Sequence, residues 1–349
     1  MIPARLTPVT ALFYAVLCFL LIGCSGGADS GNAPNTTTPE GPSAAKKKIK
    51  VLATVGMVAD PVRQIGGDRV EVTQLMSAGV DPHLYQGNRD DVQAILDADV
   101  CFASGLMLEG RMNQTLQALS KRKPIFSVAD LAVASGRLTA LSAEAHPDPH
   151  LWMDVASWMV CAETIYDRLS EQDAEHSAEY HKRWNSYREE LSQLHDYGLQ
   201  CIGSIPEESR IMITSHDAFS YFGKAYGIEV LGVQGISTDS EAGLQRINSL
   251  VDLLVERSVA AVFVESSVPP KNIQALIDGA ASRGKQIRIG GELFSDAMGA
   301  EGTYEGTYIG MMDHNITVIT RALGGTAPEK GLNGRLAHTD TSAAPKSAQ

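Results

Sequence analysis

One tetrapeptide, Asp-Pro-His-Leu, occurs twice in the chain and carries the residues best suited to chemistry. It spans Asp81 to Leu84, followed by Tyr85, and Asp148 to Leu151, followed by Trp152. Proline fixes its own φ and disfavours helix in the residue before it, so each histidine is expected on a stiff loop. A stiff loop suits a metal ligand, because an imidazole that is already fixed loses little entropy on binding. The spacing alone leaves metal binding and a purely structural role equally open.

Two further candidate ligands follow predicted strands. His216 lies in the segment Thr-Ser-His-Asp, directly beyond one strand, and Asp296 lies in Leu-Phe-Ser-Asp, beyond another. Ligands of open α/β sheets bind at the carboxyl ends of strands, which favours a binding role for both residues. The alternatives are a structural role for His216 and a helix N-cap for Asp296.

Three imidazoles and one carboxylate make a coherent site for a transition metal. Imidazole suits Zn, Cu, Fe and Ni, and a carboxylate oxygen also suits Mn. No cysteine belongs to the pattern, which disfavours Cu(I). The remaining histidines of the middle region do not share a helix face at i, i+4 spacing, and we interpret them as surface or packing residues: His176, His181 and His195.

A zinc hydrolase is the main enzymatic alternative. Catalytic zinc keeps one coordination position for water, and four protein ligands leave little room for it. The chain has no H-E-x-x-H, no P-loop and no convincing dinucleotide fingerprint. Ser215, His216 and Asp217 are adjacent on one turn, so they cannot form the relay of a catalytic triad.

Short apolar, β-branched runs alternate with amphipathic stretches, which predicts parallel sheets covered by helices. The helical stretches include Met57–Ile65, Arg89–Leu96 and Leu244–Arg257. The predicted strands form two sets: Ile49–Ala53, Val70–Leu75, Asp99–Ala103 and Ile125–Val128, then Arg210–Thr214, Glu229–Val233, Ala260–Val264 and Gln286–Ile289. Two such sets indicate two similar α/β lobes.

The stretch between the two sets, from Ala156 to Ile202, shows only helical periodicity. Its charged part, from Glu175 to Gln200, has one apolar face, formed by Trp184, Tyr187, Leu191 and Leu194. A long helix here would bridge the lobes, with Pro206 just beyond its end.

The N-terminus has the features of a targeting segment. Arg5 supplies a positive charge before the apolar run Ala11–Ile22, which is too short to span a bilayer comfortably. The residues that end the run resemble the bacterial lipobox, in which the cysteine, here Cys24, is acylated and becomes the mature N-terminus. The alternative is a plain secretory signal with a chance cysteine. Ser25–Ala45 is rich in Gly, Ser, Thr, Asn and Pro and is expected to be a flexible tether.

Composition limits the remaining classes. Hydrophobic residues make up 44% of the chain, enough for packed cores, and the formal net charge of −12 argues against nucleic acid as a partner. Outside the signal region the only cysteines are Cys101, Cys161 and Cys201, so we expect buried thiols, and at most one disulfide can form.

These residues together resemble the TroA-type metal-binding lipoproteins, the cluster A-I (cluster 9) solute-binding proteins of zinc, manganese and iron ABC importers. The matching segments follow the family's order across nearly the whole folded region: Gly79–His83, Asp148–Asp154, Thr214–Phe222 and Leu293–Asp296. Shorter matches are Gln64–Asp68, Val264–Ser267 and Gly306–Met312. Four independent motifs make the resemblance specific.

The resemblance implies an α/β fold of two lobes, each with a four-stranded parallel sheet flanked by helices, joined by a long rigid linker helix. That helix would limit opening, so metal capture would need only modest movements. The predicted boundaries are a lipoprotein signal peptide at 1–23, a flexible tether at 24–48, an N-terminal lobe at 49–174, the linker helix at 175–204, a C-terminal lobe at 205–326 and a disordered tail at 327–349.

The resemblance also implies a metal site in the cleft between the lobes. The first lobe would supply His83 and His150, and the second lobe His216 and Asp296. Glu265 would orient a ligand histidine or line the cleft. The alternative for Glu265 is a strand-end carboxylate without a role.

The implied function is capture of one divalent metal ion per chain outside the cytoplasm and its delivery to the permease of an ABC importer. The protein would be a monomer without enzymatic activity, held in the cell envelope on a lipid bilayer through acylated Cys24. Mn²⁺ is favoured over Zn²⁺, with Fe²⁺ also allowed, because the short segment Leu141–Asp148 lacks the long His-rich loop of the zinc-specific branch. An adhesin or scaffold with a structural metal is the other alternative.

Overall fold

The computed structural model describes residues 47–143, 146–257 and 259–337. The predicted signal peptide, Cys24, nearly all of the predicted tether and the C-terminal stretch from residue 338 lie outside the described residues. Within the described part, no helix combines the length and the apolar character that a membrane crossing requires.

Two four-stranded parallel sheets form the framework, one from each half of the chain. The first sheet has the order β2-β1-β3-β4 and contains β1 (Ile49–Ala53), β2 (Val70–Gln74), β3 (Val100–Ala103) and β4 (Ile125–Ser127). A short antiparallel pair follows, β5 (Ser142–Ala143) and β6 (His146–Pro147). The second sheet has the order β10-β9-β7-β8 and contains β7 (Ile211–Thr214), β8 (Glu229–Gly232), β9 (Ala261–Glu265) and β10 (Arg288–Leu293).

Helices cover both sheets. In chain order they are α1 (Gly56–Gly66), α2 (Arg89–Asp97), α3 (Met112–Ser120), α4 (Val128–Ala134), α5 (Val155–Gln172), α6 (Ser177–Gly203), α7 (Ser220–Tyr226), α8 (Leu244–Glu256), α9 (Lys271–Ser282) and α10 (Tyr308–Ala322). Every residue of β3, β7 and β9 is buried, as expected for inner strands with helices on both faces. The predicted α/β fold of two lobes joined by a long helix is confirmed.

The long helix α6 packs on both lobes. It contacts α1 of the first lobe and α10 of the second. Its predicted apolar face is buried, with Leu191 and Leu194 fully inaccessible. One hydrophobic cluster therefore runs from the first sheet through α6 to α10.

A buried carboxylate joins the three helices. Asp60 of α1 accepts a hydrogen bond from the backbone N–H of Tyr308 at the start of α10 (3.0 Å) and one from the hydroxyl of Tyr187 on α6 (3.5 Å). Burial raises the pKa of Asp60 above its ordinary value. The helices that join the lobes are thus held by a shared polar contact as well as by apolar packing.

The structure corrects three details of the expected elements. β10 continues past Ile289 to Leu293. The glycine pair after Ile289 favours the end of the strand, but in the structure it only makes the pairing with β9 irregular. β5 and β6 were not expected. Residues 327–337, assigned to the tail, lie against α10: Leu336 is buried, and the backbone N–H of Leu332 donates to Asp313 (2.8 Å).

Replacing Leu194 by Ala should lower the free energy of unfolding by about 2–5 kcal/mol, because the change leaves a cavity in the core that both lobes share. Leu199→Ala on the same helix is the matched control, since Leu199 is 45% exposed, and should change stability by less than about 0.5 kcal/mol. Urea unfolding followed by circular dichroism measures both variants. Equal effects of the two changes would contradict a shared core centred on α6.

Candidate metal centre

The candidate residues are placed by strand ends and loop turns. In the second lobe, His216 lies two residues beyond β7, Glu265 ends β9, and Asp296 lies three residues beyond β10. β9 lies between β7 and β10, so the carboxyl ends of these strands bring the three side chains together. In the first lobe, His83 and His150 come from the loops that precede α2 and α5.

Four side chains converge between the lobes. One ligand atom from each of His83, His150, His216 and Asp296 lies within 4.8 Å of every other. The Nε2 atoms of His150 and His216 lie 3.2 and 3.1 Å from the two oxygens of Asp296, and Nε2 of His83 lies 3.4 Å from Nε2 of His150. A tetrahedral ion with bonds of about 2.0–2.1 Å separates its ligand atoms by about 3.4 Å, so the spacing suits one such ion. No other group of this kind occurs in the described ranges.

The aspartate of each Asp-Pro-His segment caps the backbone of its histidine in the same way. Oδ1 of Asp81 accepts the backbone N–H of His83 at 2.9 Å, and Oδ1 of Asp148 accepts that of His150 at 3.0 Å. Such turns, in which an aspartate caps the backbone two residues on, are a local property of the sequence. The stiff loop expected from the proline is therefore reinforced by the aspartate before it.

Two of the three imidazoles have a carboxylate behind them. Nδ1 of His150 contacts Oδ1 of Asp148 at 2.7 Å, and Nδ1 of His216 contacts Oε2 of Glu265 at 2.5 Å. Glu265 also accepts the backbone N–H of His216 (2.9 Å). An ionised carboxylate only accepts hydrogen bonds, so each Nδ1 carries the proton and each Nε2 faces the centre. Of the two readings of Glu265, the contacts favour the one in which it orients His216.

Asp296 is the electrostatic centre of the site. It is 1% exposed, and neither of its oxygens accepts a hydrogen bond within the described part of the chain. A carboxylate buried without donors is costly unless positive charge compensates it. Burial would raise its pKa, but the imidazoles of His216 and His150 outweigh burial and hold that pKa well below its ordinary value.

The imidazoles respond in different ways. Burial lowers the pKa of His83 to about 4. Burial also acts to lower the pKa of His150, but its contacts with Asp148 and Asp296 raise that pKa to about 9. The carboxylates of Glu265 and Asp296 likewise hold the pKa of His216 well above its ordinary value against burial. The negative charge of Asp296 can be balanced either by protons on these rings or by a divalent cation. Binding of the cation would displace the protons.

Contacts between the lobes support the site. The indole N–H of Trp152 donates to the carbonyl of Ser295, beside Asp296, at 2.9 Å. The hydroxyl of Tyr221 donates to the carbonyl of Asp148 at 3.0 Å. Sequence patterns did not single out Tyr221, because the contact joins residues far apart in the chain.

One residue of α10 holds the backbone just before Asp296. The side-chain oxygen of Asn315 accepts the N–H of Phe294 (2.9 Å), and its amide donates to the carbonyl of Phe294 (2.7 Å). Asn315 is itself buried, which fixes the strand end that carries the carboxylate. No sequence motif pointed to Asn315, because it is one of several polar residues on α10.

Other candidates lie apart from the centre. His176 contacts Asp173 and Arg69, His181 is exposed on α6, and His195 contacts Tyr226. The hydroxyl of Ser215 makes no hydrogen bond within the described residues, so Ser215, His216 and Asp217 form no triad. Cys101, Cys161 and Cys201 are buried free thiols, as expected.

Residues 51–322 match the model of a protein family described as the zinc-uptake complex component A, periplasmic (ZnuA). The manganese-binding lipoprotein MntA of Bacillus subtilis (strain 168) is 42% identical over 305 residues, which cover 87% of this chain and 95% of that protein. The manganese ABC transporter substrate-binding lipoprotein PsaA of Streptococcus pneumoniae is 30% identical, with 91% of this chain and 99% of PsaA covered.

The zinc-binding protein TroA of Treponema pallidum (strain Nichols) is 41% identical over 281 residues, covering 80% of this chain and 91% of that protein. Its solved structure, described as a periplasmic zinc-binding protein, superposes with a TM-score of 0.77 over 79% of this chain and 99% of that chain. The likeness therefore extends over both sheets and the helix between them.

Replacing Glu265 by Gln should weaken Zn²⁺ binding by about 10- to 100-fold, because a neutral amide holds the Nδ1–H of His216 less firmly and makes the ring a poorer ligand. Competition with a chromogenic chelator measures the affinity, and circular dichroism checks the fold. Glu256→Gln, on the exposed end of α8, is the matched control and should leave affinity unchanged. A folded Glu265→Gln protein with wild-type affinity would show that Glu265 does not orient a ligand.

Proposed function

The chain belongs to the ZnuA/TroA family of metal-binding substrate-binding proteins, and we propose that it captures one Mn²⁺ or Zn²⁺ ion between its lobes and delivers it to the permease of an ABC importer. The ligands in this proposal are His83, His150, His216 and Asp296. The ion is cargo, so it must bind reversibly.

One observation carries the proposal. Three imidazole nitrogens and a buried carboxylate that accepts no hydrogen bond from any described residue share a space the size of one ion. Both lobes contribute to this space, so binding and release can be coupled to the relative position of the lobes. A structural metal would serve the fold, whereas here an apolar core already runs between the lobes through α6.

The donor set fits both candidate ions. Imidazole nitrogen favours Zn²⁺, and the carboxylate of Asp296 also suits Mn²⁺. Relatives bear the names of both metals, with MntA and PsaA named for manganese and TroA for zinc. Zn²⁺ should bind more tightly in vitro whichever ion is transported, because intrinsic affinity follows the Irving–Williams order.

The protein is a transport component and not an enzyme, in keeping with its family. We infer that it works as a monomer, because a single chain supplies all four proposed ligands. Its relatives are named lipoproteins, which supports a position outside the cytoplasm and a lipid anchor at Cys24.

Each of four single substitutions should weaken Zn²⁺ and Mn²⁺ binding by more than about 100-fold: His83→Ala, His150→Ala, His216→Ala and Asp296→Ala. Each one removes a direct ligand, and replacing a residue that only orients a ligand already weakens metal binding by about 10- to 100-fold. Wild-type protein should hold one ion per chain by elemental analysis after dialysis. Its far-ultraviolet circular dichroism should be unchanged when a chelator removes the ion.

His181→Ala is the control, since this histidine is exposed on α6, and it should bind as the wild type does. A variant with all four residues replaced that still bound one ion with wild-type affinity would refute the site. Loss of the fold on chelation would instead support a structural metal.

Replacing Cys24 by Ser should abolish incorporation of radiolabelled palmitate and release the protein from the membrane fraction, because the acylated thiol is lost. Cys18→Ser removes another cysteine of the signal region and should leave labelling unchanged. Equal labelling of Cys24→Ser and wild type would exclude the proposed anchor.

A further inference from the structure

The aspartates of the two Asp-Pro-His segments make different side-chain contacts. In both, Oδ1 caps the backbone of the histidine two residues on. Asp148 also contacts the imidazole of its own histidine. Oδ2 of Asp81 instead accepts a hydrogen bond from the hydroxyl of Thr238, at 2.5 Å.

Thr238 belongs to the other lobe. It lies in the loop between β8 and α8, where it is 9% exposed although both of its chain neighbours are exposed. The loop is braced from within by Gln234, whose amide donates to the carbonyl of Ser240 at 3.1 Å. The hydroxyl of Thr238 is thus directed across the boundary between the lobes onto the turn that carries His83.

His83 is the least firmly held of the candidate ligands. It is 6% exposed, whereas His150 and His216 are fully buried. Nε2 of His83 lies 3.9 Å from Asp296, compared with 3.2 and 3.1 Å for the other two histidines. Among the described residues no carboxylate pairs with the far side of the His83 ring, so its position depends on the backbone turn that Asp81 caps.

We propose that Thr238 is a positioning residue that joins the second lobe to His83 through Asp81 and so slows release of the bound metal ion. The proposal rests on the function proposed above and deepens it. When the lobes are together, Thr238 fixes Asp81, Asp81 fixes the backbone of His83, and the imidazole meets the ion with little loss of entropy. When the lobes separate, the link is lost and His83 becomes the ligand that leaves first.

A second contact near the same place does not have this role. Arg111 and Asp239 approach to 3.8 Å across the same boundary, but both side chains are more than 60% exposed. Exposed ion pairs contribute little because water and salt screen them. The hydroxyl of Thr238, in contrast, meets a partly buried carboxylate that would otherwise lack this donor.

The test compares Thr238→Val with the wild type, because valine keeps the shape of threonine and removes only the hydroxyl. Zn²⁺-loaded protein is mixed in a stopped-flow instrument with an excess of a chromogenic chelator, and the release rate is recorded. We expect release about 10-fold faster, since a hydrogen bond to a charged group is lost. The association rate should change by less than about twofold, and the far-ultraviolet circular dichroism of the metal-free protein should be unchanged.

Three further variants sharpen the result. Thr238→Ser should restore slow release, because it returns the hydroxyl. Asp239→Asn, which removes the neighbouring ion pair, should release at the wild-type rate. In a double-mutant cycle, adding Thr238→Val to Asp81→Ala should cause no further acceleration, since the acceptor is already absent.

Release from Thr238→Val within twofold of the wild-type rate would overturn the proposal, as would equal acceleration by Asp239→Asn. These outcomes differ from failure of the proposed function. That function fails if wild-type protein binds no Zn²⁺, or if His216→Ala binds Zn²⁺ as tightly as the wild type.

Discussion

Asp296 places a carboxylate in the interior of the protein without a hydrogen-bond donor in the described part of the chain, and three imidazoles surround it. Such a group requires positive charge close by, and the imidazoles are oriented so that two of their Nε2 atoms lie within 3.2 Å of it. Carboxylate oxygens set that orientation by contacting Nδ1 of the two rings, Asp148 for His150 and Glu265 for His216. These contacts arrange the proposed site for a cation in advance of binding.

This preparation depends on two sheets that are held in fixed relation. Helix α6 lies against α1 and α10, and Asp60 links all three helices by hydrogen bonds. A core that continues between lobes resists wide separation, because opening would expose apolar surface at about 25 cal/mol per Å². Small movements of loops at the boundary cost much less free energy, and a movement of this size is enough to break the hydrogen bond between Thr238 and Asp81. Under the proposed function, such a fold favours exchange of the ion through local motion.

Several features could be predicted from the sequence, and each has a local cause. The strands appear as short β-branched runs, and the buried face of α6 follows from helical periodicity at Trp184, Tyr187, Leu191 and Leu194. Proline and aspartate stiffen the loops before His83 and His150 through contacts within two residues. Strand ends identified His216 and Asp296 as candidates, and the family resemblance grouped all four residues. These inferences needed only neighbouring residues or a known pattern.

Only the tertiary structure decided what depends on contacts between distant segments. It placed Glu265 against His216, Asn315 against Phe294 and Thr238 against Asp81, pairs that no local rule connects. It also extended β10 through its glycine pair and packed Leu336 against the protein, because burial can outweigh weak strand propensity and polar composition. The two identical tetrapeptides illustrate the division. Sequence gives both histidines the same aspartate cap, and only the tertiary structure turns the ring of His150 toward Asp148 and joins Asp81 to Thr238 of the opposite lobe.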